Sequence, residues 1–138
     1  MNSISRIGVV GAALAAVAAG VAAPGIAEAS ADACKNSISL ASLTASNSGK
    51  RLSVTANWNQ CWSGTTYIQF WVSRGDDNVG GDHLGPGNVK AGRHSKKVNF
   101  DGNCKPGTYH VWVGLYKNNT DLGTPKAEAT SNKIKLTC

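Results

Sequence analysis

The sequence has few of the residues and motifs on which enzymes and metal sites depend. Its 138 residues include only three histidines and eight acidic residues. The motifs G-x-S-x-G, H-E-x-x-H and C-x-x-C are all missing, which argues against the common hydrolase, metalloprotease, zinc and redox sites. No pair of carboxylates falls on one predicted strand. We therefore expect a protein that is not an enzyme and that uses no cofactor or metal.

Long basic runs and helical periodicity are also missing. The formal net charge is +6, but the lysines and arginines are spread along the chain, so we expect no nucleic-acid partner. A modest positive field favours solubility, and it also suits anionic partners such as acidic polysaccharides or a membrane surface. No segment repeats its apolar residues every 3.6 positions, which argues against amphipathic helices.

The N-terminal segment has the layout of a secretory signal peptide. Arg6 precedes an apolar run, Ile7–Ala23, which is followed by small residues. This run is shorter than the roughly 20 residues that a membrane-spanning helix needs, so we expect no stable membrane insertion. We predict a signal peptide over residues 1–31. Residues 32–138 then have the size of a single domain, which we expect to be secreted, extracellular and monomeric.

Short strands, separated by Gly, Asn, Asp and Pro, account for most of this domain. The apolar residues alternate with polar ones in three segments, which are 52–58, 67–72 and 108–116. Weaker patterns predict further strands at 37–43, 95–100 and 133–137. The inward set of the second segment is Ile68, Phe70 and Val72, and that of the third is Tyr109, Val111, Val113 and Leu115. Residues 75–92 contain six glycines, and we predict that they form mostly loop.

Two motifs resemble parts of immunoglobulin-like and fibronectin type III domains. The pattern L-x-V-x-A-x-W at 52–58 is similar to the second strand of such domains. The pattern P-G-T-Y-x-V-x-V at 106–113 is similar to their corner and sixth strand. The resemblance implies an all-β fold, a two-sheet antiparallel immunoglobulin-like sandwich of about seven strands. It also implies that the Tyr109 hydroxyl bonds to the backbone of the preceding corner.

The domain contains an even number of cysteines, which are Cys34, Cys61, Cys104 and Cys138. In an exported chain this favours disulfides. Four cysteines allow three pairings. In the sandwich topology, the first two lie at one pole and the last two at the other, which selects Cys34–Cys61 and Cys104–Cys138. Each bond would close a loop of about 30 residues and contribute on the order of 3 kcal/mol.

The same topology places the strands at 67–72, 108–116 and 133–137 side by side, so that their outward side chains share one surface. We call this surface the aromatic face. Its predicted members are Tyr67, Gln69, Trp71, His110, Trp112, Tyr116, Lys133 and Lys135. Trp71 and Trp112 would stack on a ligand, the two tyrosines would extend the platform, and the lysines would attract negative charge.

These features predict a small non-catalytic binding module whose ligand is an extracellular polysaccharide or a partner protein. Two alternatives remain open. The aromatic residues could only stabilise the sheet, or could be covered by the 75–92 segment. Alternatively, that segment could act as the binding loop of a secreted inhibitor or toxin-like protein. Its aspartates, Asp76, Asp77 and Asp82, also offer oxygen ligands for calcium, although their spacing is not that of an EF-hand.

Overall fold

The structure, a computed structural model, describes residues 34–118 and 123–138, and these ranges contain nine strands and no helix. The strands are β1 Ser37–Leu40, β2 Thr44–Ser46, β3 Arg51–Gln60, β4 Gly64–Arg74, β5 Asp77–Val89, β6 Gly92–Asp101, β7 Gly107–Lys117, β8 Ala127–Thr130 and β9 Ile134–Leu136. No helix long and apolar enough to cross a membrane occurs in the described part of the chain. The predicted signal peptide lies outside the described residues.

The strands form two antiparallel sheets, which confirms the predicted fold class. In the first sheet β3 is central, with β6 along one edge and the short strands β1 and β2 sharing the other. In the second sheet the order is β5, β4, β7, and the free edge of β7 is shared by β8 and β9. The predicted neighbours 67–72 and 108–116 do pair, as parts of β4 and β7.

The core lies between the sheets and is built from the predicted inward sets. The apolar residues of β3, β4 and β7 that face inward are all buried, and Val98 of β6 and Leu43 join them. Phe70 is at the centre with 0% of its surface exposed, and its ring meets that of Phe100 edge-on. Such alternation arises because one side of each sheet packs on the core and the other does not.

The corner before β7 is held as the resemblance implied. The Tyr109 hydroxyl donates a hydrogen bond of 2.7 Å to the carbonyl of Lys105. Gly107, at the start of β7, has a φ of 150°, and a Cβ there would lie 2.6 Å from Cγ of Arg74. The corner therefore has room for the Arg74 side chain because residue 107 has none.

Both predicted disulfides are present. Cys104 and Cys138 are bonded, with 5.8 Å between their Cα atoms, and Cys34 and Cys61 form the other bond. Two such bonds are typical of a protein that folds in an oxidising compartment, as extracellular proteins do.

The prediction of a loop over 75–92 was wrong, because most of this segment is the edge strand β5. It pairs with β4 from Arg74↔Asp77 to Gly64↔Val89, with register shifts at two places. Those shifts and the exposure of nearly every β5 residue remove the alternation by which strands are recognised. The short strands β2 and β8 were also missed, so the described residues contain nine strands where about seven were predicted.

Candidate functional site

The aromatic face is the outer surface of the second sheet, and the pairing of β4 with β7 determines its layout. Tyr67 lies opposite Tyr116, and Trp71 lies opposite Trp112. Directly opposed residues of antiparallel strands have Cβ atoms about 4.5–5.5 Å apart. The structure therefore brings the four predicted rings together as two cross-strand pairs.

The two tryptophans are the members of this face that a ligand meets first. Trp71 is 41% exposed, one of two large hydrophobic side chains that are exposed within the described residues. Trp112 beside it is half-buried. An exposed tryptophan on an ordered sheet is unusual, because burial of its large ring is favourable. Such exposed rings often mark a binding surface.

Two glycines let these indole rings rest against the sheet. A Cβ on Gly81 of β5 would lie 2.7 Å from Cε3 of Trp71, and a Cβ on Gly114 would lie 2.5 Å from Cη2 of Trp112. A side chain at either position would clash with the indole ring, and at residue 81 it would also clash with the backbone carbonyl of Phe70. The glycines therefore hold the rings close to the sheet surface and restrict their orientation.

The indole of Trp112 is held by a carboxylate that was not predicted from the sequence. The Nε1 of Trp112 donates a hydrogen bond of 2.9 Å to Oε1 of the exposed Glu128. Glu128 belongs to β8, where it lies opposite Gly114. The sequence pattern that could have indicated β8 is the short alternation of Ala127, Glu128 and Ala129. Its two alanines pack against the core.

The two tyrosines lie lower in the face than the tryptophans. Tyr67 and Tyr116 are 6% and 8% exposed. The Tyr67 hydroxyl donates to Oε1 of Gln69 at 2.8 Å, and Gln69 donates in turn to the carbonyls of Phe70 and Asp82. These tyrosines therefore brace the surface more than they extend it.

A histidine from β5, also missed from the sequence, completes this layer. The ring of His83 stacks on that of Tyr67, with 5.4 Å between centroids. The prediction of a loop over 75–92 gave His83 no place on the aromatic face. Its Nδ1 lies 2.9 Å from the carbonyl of Gly85, an arrangement in which Nδ1 carries the proton.

The predicted cations lie away from the tryptophans. Lys135 of β9 pairs with Thr108, which is four residues before Trp112 and so about 13 Å from it along the strand. Lys133 precedes β9 and is exposed. His110 lies nearer, opposite Ser73, and is half-buried. The charge beside the indoles is thus the Glu128 carboxylate.

The layer beneath the tryptophans also raises the pKa of Tyr116, chiefly through burial, with further contributions from the nearby charges of Glu128 and Tyr67. Because the pKa is raised, the neutral form of Tyr116 stabilises the folded state. This stabilisation is fully present below the pKa that Tyr116 has in the unfolded chain. This contribution is lost as the pH rises from about 10 through the folded-state value.

We therefore expect Tyr116→Phe to lessen the loss of stability above about pH 10. The measurement is the free energy of unfolding of both proteins at a series of alkaline pH values. Glu128→Gln should lower the pKa of Tyr116, which the ultraviolet absorbance of tyrosinate would report. Identical pH dependence in wild type and Tyr116→Phe would contradict this assignment.

Comparison of the chain with protein-family models finds no match, and comparison with curated proteins finds none either. Within residues 34–118 and 123–138, no group of three or more His, Cys, Asp or Glu side chains is placed to hold a metal ion. The functional interpretation therefore depends on the geometry of the aromatic face.

Proposed function

We propose that this protein is a secreted, non-catalytic module that binds a polysaccharide on its aromatic face. The observation that carries the proposal is the cross-strand pair of Trp71 and Trp112, whose rings rest over Gly81 and Gly114. A sugar ring presents an apolar face and a rim of hydroxyl groups. A flat indole covers the first, and neighbouring polar side chains bond the second.

The polar groups around the tryptophans support an uncharged sugar better than an acidic one. Glu128 contributes a carboxylate that can accept hydrogen bonds from hydroxyl groups. Thr130 lies opposite Trp112, and both it and Glu128 are exposed. The carboxylate would repel an anionic polymer at this point, whereas the lysines expected to attract one lie at the end of the sheet.

The opposite surface of the molecule argues against strand propensity as the whole explanation. If aromatic side chains were present only to strengthen sheets, both outer faces should carry them. The outward residues of β3 and β6 are instead Arg51, Ser53, Thr55, Asn57, Asn59, Arg93, Ser95, Lys97, Asn99 and Asp101. The aromatic residues are thus concentrated on one surface only.

The inhibitor alternative has less support. It required a protruding loop over residues 75–92, but residues 77–89 are hydrogen-bonded to β4 as a strand. Covering of the tryptophans by this segment is also unsupported, since β5 lies beside β4 in the sheet.

Removal of both indoles should abolish binding without unfolding the protein. We expect Trp71→Ala/Trp112→Ala to lose about fivefold to a hundredfold in affinity for the bound polymer, since two stacked rings contribute roughly 1–3 kcal/mol together. The measurement is co-sedimentation with insoluble neutral and acidic polysaccharides over a range of protein concentrations. Far-ultraviolet circular dichroism and thermal denaturation check the fold.

Two control variants make this test specific. Asn57→Ala, on the outer face of the first sheet, should bind as wild type does. Trp71→Phe/Trp112→Phe keeps a ring at both positions and should recover part of the affinity. If the wild type sediments with no polymer, polysaccharide binding is contradicted for that set, and a protein partner becomes the better hypothesis. Equal binding by the alanine variant would move the site away from the aromatic face.

A further inference from the structure

A second candidate site lies between the sheets, on the side where the edge strands β5 and β6 leave the sandwich open. The cleft has a volume of about 620 Å³, within the range of sites that hold small organic ligands. Its apolar lining consists of Leu52, Val72, Val79, Phe100, Tyr109 and Leu136. Phe100 and Leu136 are only half-buried, so part of this apolar surface remains open.

An arginine points into this cleft from an inward position of a central strand. Arg74 follows Phe70 and Val72 in the alternation of β4, and it lines the cleft. Its carbon stem passes over Gly107. Within the described residues its guanidinium has no ion pair, because the salt bridge found there joins Arg51 and Asp101. A half-buried guanidinium without an ion pair keeps N–H donors available, and an anion placed against it would accept charge-assisted hydrogen bonds from them.

The other charges in the cleft leave an excess of positive charge. Lys50 and Lys105 also line it, together with two carboxylates, Asp82 and Asp101. Asp101 is already bonded by both Arg51 Nε and Nη2, at 2.6 and 3.2 Å, and this pairing lowers its pKa. Asp82 accepts a hydrogen bond from the backbone N–H of His83. Three cations therefore line the cleft together with one carboxylate that is not paired with a cation. Asp77 of β5 lies opposite Arg74 in the sheet but forms no ion pair with it.

We propose that this cleft binds a small organic anion with an apolar body. The acidic head group lies against Arg74, whose planar guanidinium can donate two parallel hydrogen bonds to a carboxylate or sulfonate. The apolar body covers Val72 and Phe100. This site is on the inner side of the second sheet, so it is independent of the aromatic face and of the polysaccharide proposal.

The test uses anilinonaphthalene sulfonate, a fluorescent anion with an apolar body, and its uncharged analogue N-phenylnaphthylamine. We expect one saturable sulfonate site per folded chain. Arg74→Met keeps the stem over Gly107 and removes the charge, and it should weaken sulfonate binding at least about tenfold. Binding of the uncharged analogue should not change. Arg93→Met, on the outer face of β6, is the matched control and should bind as wild type does.

Other variants distinguish this cleft from other places on the protein where the sulfonate probe could bind. Trp71→Ala/Trp112→Ala should leave sulfonate binding unchanged, and a loss there would assign the probe to the aromatic face and overturn the proposal. If Arg74→Met does not fold, Lys50→Met/Lys105→Met carries the test, since both side chains are exposed. A threefold or greater weakening supports the proposal. Unchanged binding, or no saturable binding by wild type, overturns it.

Discussion

Replacing Phe70 with alanine should lower the free energy of unfolding by about 3–5 kcal/mol. The side chain is completely buried, and its ring contacts Phe100 across the sandwich. Truncation leaves a cavity that the paired strands on either side of β4 cannot close. Chemical denaturation followed by far-ultraviolet circular dichroism measures the change without depending on tryptophan fluorescence.

The adjacent residue provides the control. Trp71 is larger than Phe70 but faces outward and is 41% exposed, so Trp71→Ala should cost only about 1 kcal/mol. The two substitutions together test which side of β4 faces the core. Equal losses from both, or a larger loss from Trp71→Ala, would contradict the assignment of the two faces.

Removal of the Cys104–Cys138 disulfide should lower the free energy of unfolding by about 3–4 kcal/mol. The two residues are 34 positions apart, and the bond restricts the unfolded chain over that whole loop. We expect this loss for Cys104→Ala/Cys138→Ala in equilibrium denaturation under oxidising conditions.

The second disulfide serves as an internal comparison. The Cys34–Cys61 bond closes a loop of similar length, so Cys34→Ala/Cys61→Ala should lower the free energy of unfolding by a similar amount. Reduction of both bonds in the wild type should lower it at least as much as either double substitution does. A change below about 1 kcal/mol for the Cys104 and Cys138 pair would show that β9 is held mainly by its packing.

The central strands could be predicted from the sequence because each has one buried side. Segment 52–58 alternates strictly, and the inward residues of this segment, of 67–72 and of 108–116 are those that the structure buries. The sandwich topology then placed the cysteines correctly, because it leaves only one pairing in which both partners lie at the same pole. The Tyr109 corner followed from a local motif.

The edge strands could not be predicted in the same way. β5 is exposed on both sides, shifts register twice and contains four glycines, so it has neither alternation nor high strand propensity. Because β5 and β8 were not predicted, residues that these strands bring to the aromatic face, among them His83 and Glu128, were not predicted either. The burial of Tyr67 and Tyr116 depends on such neighbours, and it therefore could not be predicted from β4 and β7 alone.

The Cys104–Cys138 bond also determines how a pulling force on the C-terminus is transmitted through the domain. A force applied to Cys138 passes through the sulfur atoms to the start of β7, and so bypasses the three-residue β9 and the four-residue β8. The load falls instead on the pairing of β7 with β4, which runs from Thr66↔Lys117 to Arg74↔Tyr109. The short strands β8 and β9 are therefore protected from being peeled off the sheet. The domain resists the pull with the pairing of β4 and β7, which is the longest continuous ladder in this sheet and also carries both tryptophans.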